Sequence, residues 1–162
     1  MIRVTESPYC HPEMLQPDVF VDDEKWYPLG KLGKVRPLMF DVSHGGWVSI
    51  LKAEGEGTID RHRHASPVTG WTLDGAWGYR EYNWIARAGS FVYEPPGHIH
   101  TLYIDPTVRK MTALFHVHGP LLYLDEQGNA TDYDDVFLRL DRYTKHCREV
   151  GLGEEWVRSL IR

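Results

Sequence analysis

From Val35 to Leu124 the chain is a succession of short segments rich in Trp, Val, Ile, Tyr and Phe, broken by Gly, Pro or Asp at intervals of roughly ten residues. That text predicts strands over 35–40, 47–53, 58–64, 70–74, 76–84, 89–94, 99–104, 111–118 and 121–124. No segment among them is long enough, or apolar at a period of 3.6, to supply crossover helices. This argues against a parallel α/β sheet and leaves an all-β sandwich or barrel. With 162 residues, 42% of them hydrophobic, the chain amounts to one domain with a real core. Its 6 Trp, 9 Tyr and 5 Phe argue against disorder.

The flanks read differently. Residues 1–34 are interrupted by Pro8, Pro12, Pro17, Pro28, Gly30 and Gly33, the pattern of an arm of turns and short extended pieces. After the turn at Asp125–Asn129, Val136, Leu140, Tyr143 and Cys147 recur at spacings of four, three and four, one face of a helix. Asp132, Asp134 and Asp135 stand at its start, where the helix dipole favours anions, and Gly151 is a C-terminal stop. A second short helix is predicted over about Glu154 to Ile161. The expected organisation is an arm (1–34), a β-barrel (35–128) and a helical appendix (129–162) packed on the barrel, one domain in total.

The net charge of −5 gives no electrostatic reason to expect nucleic acid or an anionic membrane surface as partner. The longest run free of Asp, Glu, Lys and Arg, Met111 to Leu124, is too short and polar to span a bilayer. No signal peptide is visible, and Cys10 and Cys147 sit far apart, so a cytoplasmic protein with reduced thiols is the expectation.

Nine histidines are the unusual count, and six fall in His-x-His pairs: His62/His64, His98/His100 and His116/His118. Residues two apart on a strand face the same side, so such a pair can offer two imidazoles to one ion. A single pair is weak evidence, because lone histidines are commonly hydrogen-bonded core residues. The surroundings of two pairs strengthen it: Gly57-Thr-Ile-Asp-Arg-His62-Arg-His64, and Gly89-Ser-Phe-Val-Tyr-Glu94-Pro95-Pro96-Gly97-His98-Ile99-His100. These stretches resemble the two signature motifs of the cupin superfamily, small jelly-roll barrels with a metal inside. The resemblance implies His62, His64 and His100 as metal ligands. Many cupins add a Glu after a gap of three or four residues beyond the second His; Val68 and Thr69 stand there, which implies a three-histidine site. Three neutral imidazoles leave the charge of a divalent ion uncompensated and favour an anionic substrate.

Within that superfamily the chain resembles the acetylacetone-cleaving and dihydroxyacetophenone dioxygenases. The features are Tyr93-Glu94-Pro95-Pro96-Gly97 before the third ligand, the aromatic stretch Trp77 to Trp84, and the C-terminal segment from Asp134 to Arg162. The resemblance implies a non-haem Fe(II) centre, with Zn(II) or Ni(II) as alternatives. Its reaction would be cleavage by O2 of a carbon–carbon bond in a β-diketone or hydroxyacetophenone. Glu94 and Arg80 are the implied catalytic residues near the metal, against the commoner fate of solvated strand residues. Trp71, Trp77, Tyr79, Phe91, Leu102, Tyr103 and Phe115 are candidate pocket walls, of which alternation allows about half. His98 and Glu81 are further candidates to face the site. So are His116 and His118, although a strand-end pair with no metal role is the favoured reading there. A homodimer or higher homo-oligomer is expected. Two competing readings stand beside the dioxygenase: a zinc-binding regulatory cupin of the anti-sigma-factor type, and a zinc hydrolase or isomerase.

Overall fold

The computed structural model describes residues 5–30 and 32–162. Residues 1–4 and Lys31, within the predicted arm, lie outside the described residues. The fold is all-β apart from its C-terminus, as the segment pattern predicts. Its strands are β1 (Tyr27–Leu29), β2 (Gly33–Asp41), β3 (Gly46–Glu54), β4 (Thr58–His64), β5 (Val68–Tyr79), β6 (Ile85–Arg87), β7 (Phe91–Glu94), β8 (Ile99–Ile104), β9 (Lys110–Val117), β10 (Leu121–Leu124) and β11 (Ala130–Asp134). Two helices follow, α1 (Val136–Glu149) and α2 (Gly153–Ser159). Every pairing is antiparallel, in the order β1-β2-β3-β9-β5-β8-β4-β10-β11, with β6 and β7 both on β5. The sheet curls on itself into a jelly-roll barrel.

One strand does most of the curling. The predicted strands at 70–74 and 76–84 are a single strand, β5, that pairs with β9 through Gly75 and with β8 from Trp77 onward. The register slips between Thr72 and Asp74, and Gly75 adopts φ +73. A bulge of this kind sharpens strand twist and lets one strand serve two sheet faces. A Cβ at Gly75 would collide with the carbonyl oxygen of Lys110 on β9. Gly75→Ala is therefore expected to cost at least about 2 kcal/mol, from the left-handed backbone and the clash together. A shift in the urea unfolding midpoint would register it; an unchanged midpoint would mean that the bend does not need glycine. The predicted strand to 84 stops at Tyr79 because Arg80–Asn83 turn back into β6.

Both flanks add strands that the sequence pattern does not announce. β1 extends the sheet within the arm, and β11 pairs with β10 within the C-terminal stretch. Both are short and mostly polar or half-exposed, so neither carries an alternating signal. Helix α1 is capped by Asp135, whose Oδ1 accepts from the Leu138 N–H at 2.8 Å. It buries Val136, Tyr143 and Cys147 on the barrel. The arm is fastened to this helix: Tyr143 Oη donates to the Lys25 carbonyl (3.2 Å), and His146 Nε2 donates to the Glu24 carbonyl (2.7 Å). Cys10 is exposed, Cys147 is buried, and neither is in a disulfide. No helix among the described residues is long and apolar enough to cross a membrane.

Candidate metal centre

Strand alternation on β4 turns His62 and His64 inward, both buried, while Arg61 and Arg63 point outward. Antiparallel pairing sets His62 opposite His100 on β8, and His64 opposite Leu121 on β10. The three imidazoles thus meet from two adjacent strands, each offering one nitrogen, all within 4.8 Å of one another. His62 Nε2 and His64 Nε2 are 3.1 Å apart. His62 Nδ1 donates to the Asp60 carbonyl at 2.7 Å, which fixes the tautomer that leaves Nε2 with its lone pair.

A carboxylate completes the cluster. Glu94 Oε2 lies 3.6 Å from His64 Nε2 and 3.5 Å from His100 Nε2. The other oxygen, Oε1, accepts from the Tyr79 hydroxyl at 2.6 Å. The Tyr79 ring lies parallel to that of His100, centroids 3.8 Å apart. Glu94 pairs in register with Val68, the position where the cupin motif would carry its own Glu. The cluster's carboxylate thus stands on β7, in register with that position on β5.

The electrostatics suit a cation. Burial holds the imidazoles neutral, driving His64 down to about 2 and His100 to about 3, with the neighbouring histidines adding to the effect; His62 is lowered by burial as well. Neutral imidazole is the form that ligates a metal. Glu94 is raised to about 7 by burial, against the pull of the Tyr79 hydrogen bond. Glu94 Oε2 and His100 Nε2 are buried polar atoms without a hydrogen-bond partner among the described residues. Buried polar groups are rarely left so, and a divalent ion among these atoms would satisfy them together. The donor set fits a metal.

His62, His64 and Glu94 border an interior cavity of about 80 Å³, and His100 lines a second recess with Tyr79 and Glu94. Of the predicted wall residues, Tyr79, Leu102 and Phe115 line the cavity. The others do not. Trp71 (44% exposed) and Phe91 (55%) face outward and pack on each other, because Gly70 and Thr72 on β5 and Val92 and Glu94 on β7 take the inner side. Trp77 is fully buried but packs behind Tyr79 and Phe115, its Nε1 donating to Thr72 Oγ1. Tyr103 lines an outer cleft with Arg80.

Arg80 is exposed at the turn after β5 and does not join the histidines. Glu81, also exposed, accepts from the Thr101 N–H and hydroxyl instead (2.8 and 3.0 Å). His98 is exposed beyond the Pro95-Pro96-Gly97 turn, its Nδ1 2.7 Å from the Tyr82 hydroxyl. His116 on the outer side of β9 and His118 just past its end lie with their rings tilted, centroids 3.8 Å apart, since Phe115 and Val117 take the inner side. Further cavity residues include Trp47 and Ser49 on β3, Tyr123 on β10 and Arg139 on α1. Trp47, Ser49 and Leu51 alternate inward, a signal present in the sequence but one that does not say which face of β3 is inner.

The profile of the ChrR cupin-like domain family matches residues 17–122 of the chain. The chain belongs to the ChrR cupin-like family. Among solved structures, it is 30% identical to an RmlC-like cupin protein from Ralstonia eutropha, over 76% of this chain and 82% of that one, with a TM-score of 0.73. The acetylacetone dioxygenase from Acinetobacter johnsonii is 16% identical over 90% of this chain and 99% of that one, TM-score 0.74. The anti-sigma factor ChrR of Rhodobacter sphaeroides, solved with SigE, is 18% identical over 60% of this chain and 51% of that one, TM-score 0.50. At those identities the last two are similar in fold alone. No curated protein matches in sequence.

Proposed function

We propose that this cupin is a mononuclear non-haem iron dioxygenase that splits a carbon–carbon bond beside a carbonyl, in a small β-dicarbonyl or hydroxyketone substrate, with O2. The observation that carries the reading is the convergence of three neutral imidazoles and one carboxylate oxygen beside a small interior cavity. His62, His64 and His100 would hold the ion, which when bound supplies Lewis acidity toward the substrate's oxygens and redox capacity toward O2. Glu94 Oε2 would take the proton released as the substrate enolises, and Tyr79, bonded to Oε1, orients that carboxylate. Leu102, Phe115 and Val117 exclude water from the cavity. Arg80 has no part in this scheme, being exposed. Imidazole accepts Zn(II) and Ni(II) as well as Fe(II), so the ligand set alone does not select iron. The similarity to the Acinetobacter dioxygenase, which extends over nearly the whole of both chains, favours iron. The outer face bearing Trp71, Phe91 and Tyr93 is the surface a homo-oligomer would use.

The family match favours a second reading, a zinc-binding cupin with a protein partner, as in the anti-sigma ChrR. Oxygen uptake separates the two. Metal-stripped protein reconstituted with Fe(II), and separately with Zn(II), would be offered β-diketones and hydroxyacetophenones in an oxygen electrode. Stoichiometric O2 consumption with iron alone is expected. Tight zinc binding with no uptake from any substrate would favour the regulatory reading.

A further inference from the structure

One buried charge has no role in the proposed centre. Arg139 enters from the first turn of α1, its guanidinium 4.4 Å from the Trp47 ring centroid and its side chain 13% exposed. It lines the same cavity as His62, His64 and Glu94. Its Nη2 reaches Asp134 Oδ2 at 2.8 Å, but Arg142 shares that buried carboxylate through Oδ1 at 3.1 Å. Arg142 reaches it from the solvent side, its side chain 48% exposed, so Arg139 is the guanidinium that the cavity meets. Arg139 Nε, moreover, is buried and has no hydrogen-bond partner among the described residues. The packing on Trp47 and the Asp134 pair explain why the side chain is rigid; neither accounts for a free N–H in a low-dielectric site.

That donor is satisfied by an acceptor that arrives with the ligand. We propose that Arg139 is an anion-binding subsite, and that the pocket takes a small carboxylate whose carbonyl or hydroxyl oxygen faces the histidine cluster. The ligand class is a short-chain oxo or hydroxy acid, preferred over a neutral diketone of the same size. Size supports this: about 80 Å³ is far below the roughly 300 Å³ at which pockets for drug-sized ligands begin. Arginine suits the role because its planar fork keeps spare donors after pairing with Asp134. The inference rests on reading this cavity as the substrate site, but not on the redox chemistry assigned to it.

Acetoacetate and acetylacetone test it as near-isosteres, one ending in a carboxylate oxygen where the other has a methyl. The zinc-loaded protein, which does not turn over with O2, would be titrated with each by calorimetry, with tryptophan fluorescence as a second readout because Trp47 lies under Arg139. Wild type is expected to bind acetoacetate at least about tenfold more tightly. In Arg139→Gln that preference should fall to within about twofold, acetylacetone affinity staying unchanged, and Arg139→Lys should recover part of it. A purely structural Arg139 would weaken both probes alike. Equal affinity in wild type, binding of neither probe, or a preference that survives Arg139→Gln would overturn the proposal. Should Arg139→Gln fail to fold, the ratio in Arg139→Lys decides, because the metal's own charge favours the anionic probe in wild type: a preference undiminished by lysine would overturn the proposal. A protein that never consumes O2 can still pass this test, so its outcome and that of the dioxygenase reading are separate.

Discussion

His62→Ala is expected to weaken binding of the first divalent metal by more than about 100-fold and to abolish iron-dependent O2 uptake. Losing only an outer-sphere partner of a ligand costs roughly 10–100-fold in affinity, and His62 is placed to be a ligand itself. The position is also central. His62 stands between His100 on β8 and Tyr123 on β10, and its tautomer is fixed by the Asp60 carbonyl. Alanine there would leave His64 and His100 too few to define an open three-nitrogen site. Calorimetric metal titration, with oxygen-electrode assays on the same preparations, checks both halves. Full turnover in a His62→Ala protein stripped of metal would refute the proposed function, whereas lost metal with no activity in the wild type would leave only a structural site.

Glu94→Gln has the second largest expected effect, and it falls on catalysis. Glutamine preserves the side chain's volume, and its carbonyl can still accept from the Tyr79 hydroxyl, so the buried contact at 2.6 Å has a substitute. What disappears is the base. Among the described residues that line the cavity, Glu94 is the only carboxylate. A positioned general base is worth about 10²–10⁴-fold, so kcat should fall by that factor while iron content at saturating metal stays near one per chain. Undiminished kcat would remove Glu94 from the proton transfer. A loss of metal comparable to that in His62→Ala would instead assign Oε2 as a fourth ligand, which its distances of 3.5 and 3.6 Å from His100 and His64 permit.

The difference between these two residues reflects what a linear text can carry. His62 and His64 share a face because strand side chains alternate, and that rule is local. The Gly89-to-His100 spacing is likewise a property of one short stretch, so the third histidine could be named from the resemblance it carries. Whether Glu94 or Arg80 reaches the centre is not local. It depends on β7 pairing with the start of β5, which sets Glu94 opposite Val68, and on the chain turning away after Tyr79, which leaves Arg80 in solvent. The same limit governs the aromatic candidates. Alternation says that about half of them face inward, and the inner half depends on which side of β5 and β7 the curled sheet encloses.

Arg139 lies between the two cases. It stands three residues after Val136 and four before Tyr143, on the buried stripe of α1, so a charge on an apolar helix face was present to be read. Its destination was not, because nothing in the helix says that it packs across Trp47 at the cavity. By itself, then, the sequence determined what periodicity sets, an all-β fold with two terminal helices, and its motif resemblance named the barrel and the three histidines that the fold brings together. The tertiary structure alone decided the inside of the barrel, the carboxylate beside the histidines and the cation in the wall. Those follow from strand register and sheet curvature, which are fixed by contacts between residues distant in the chain.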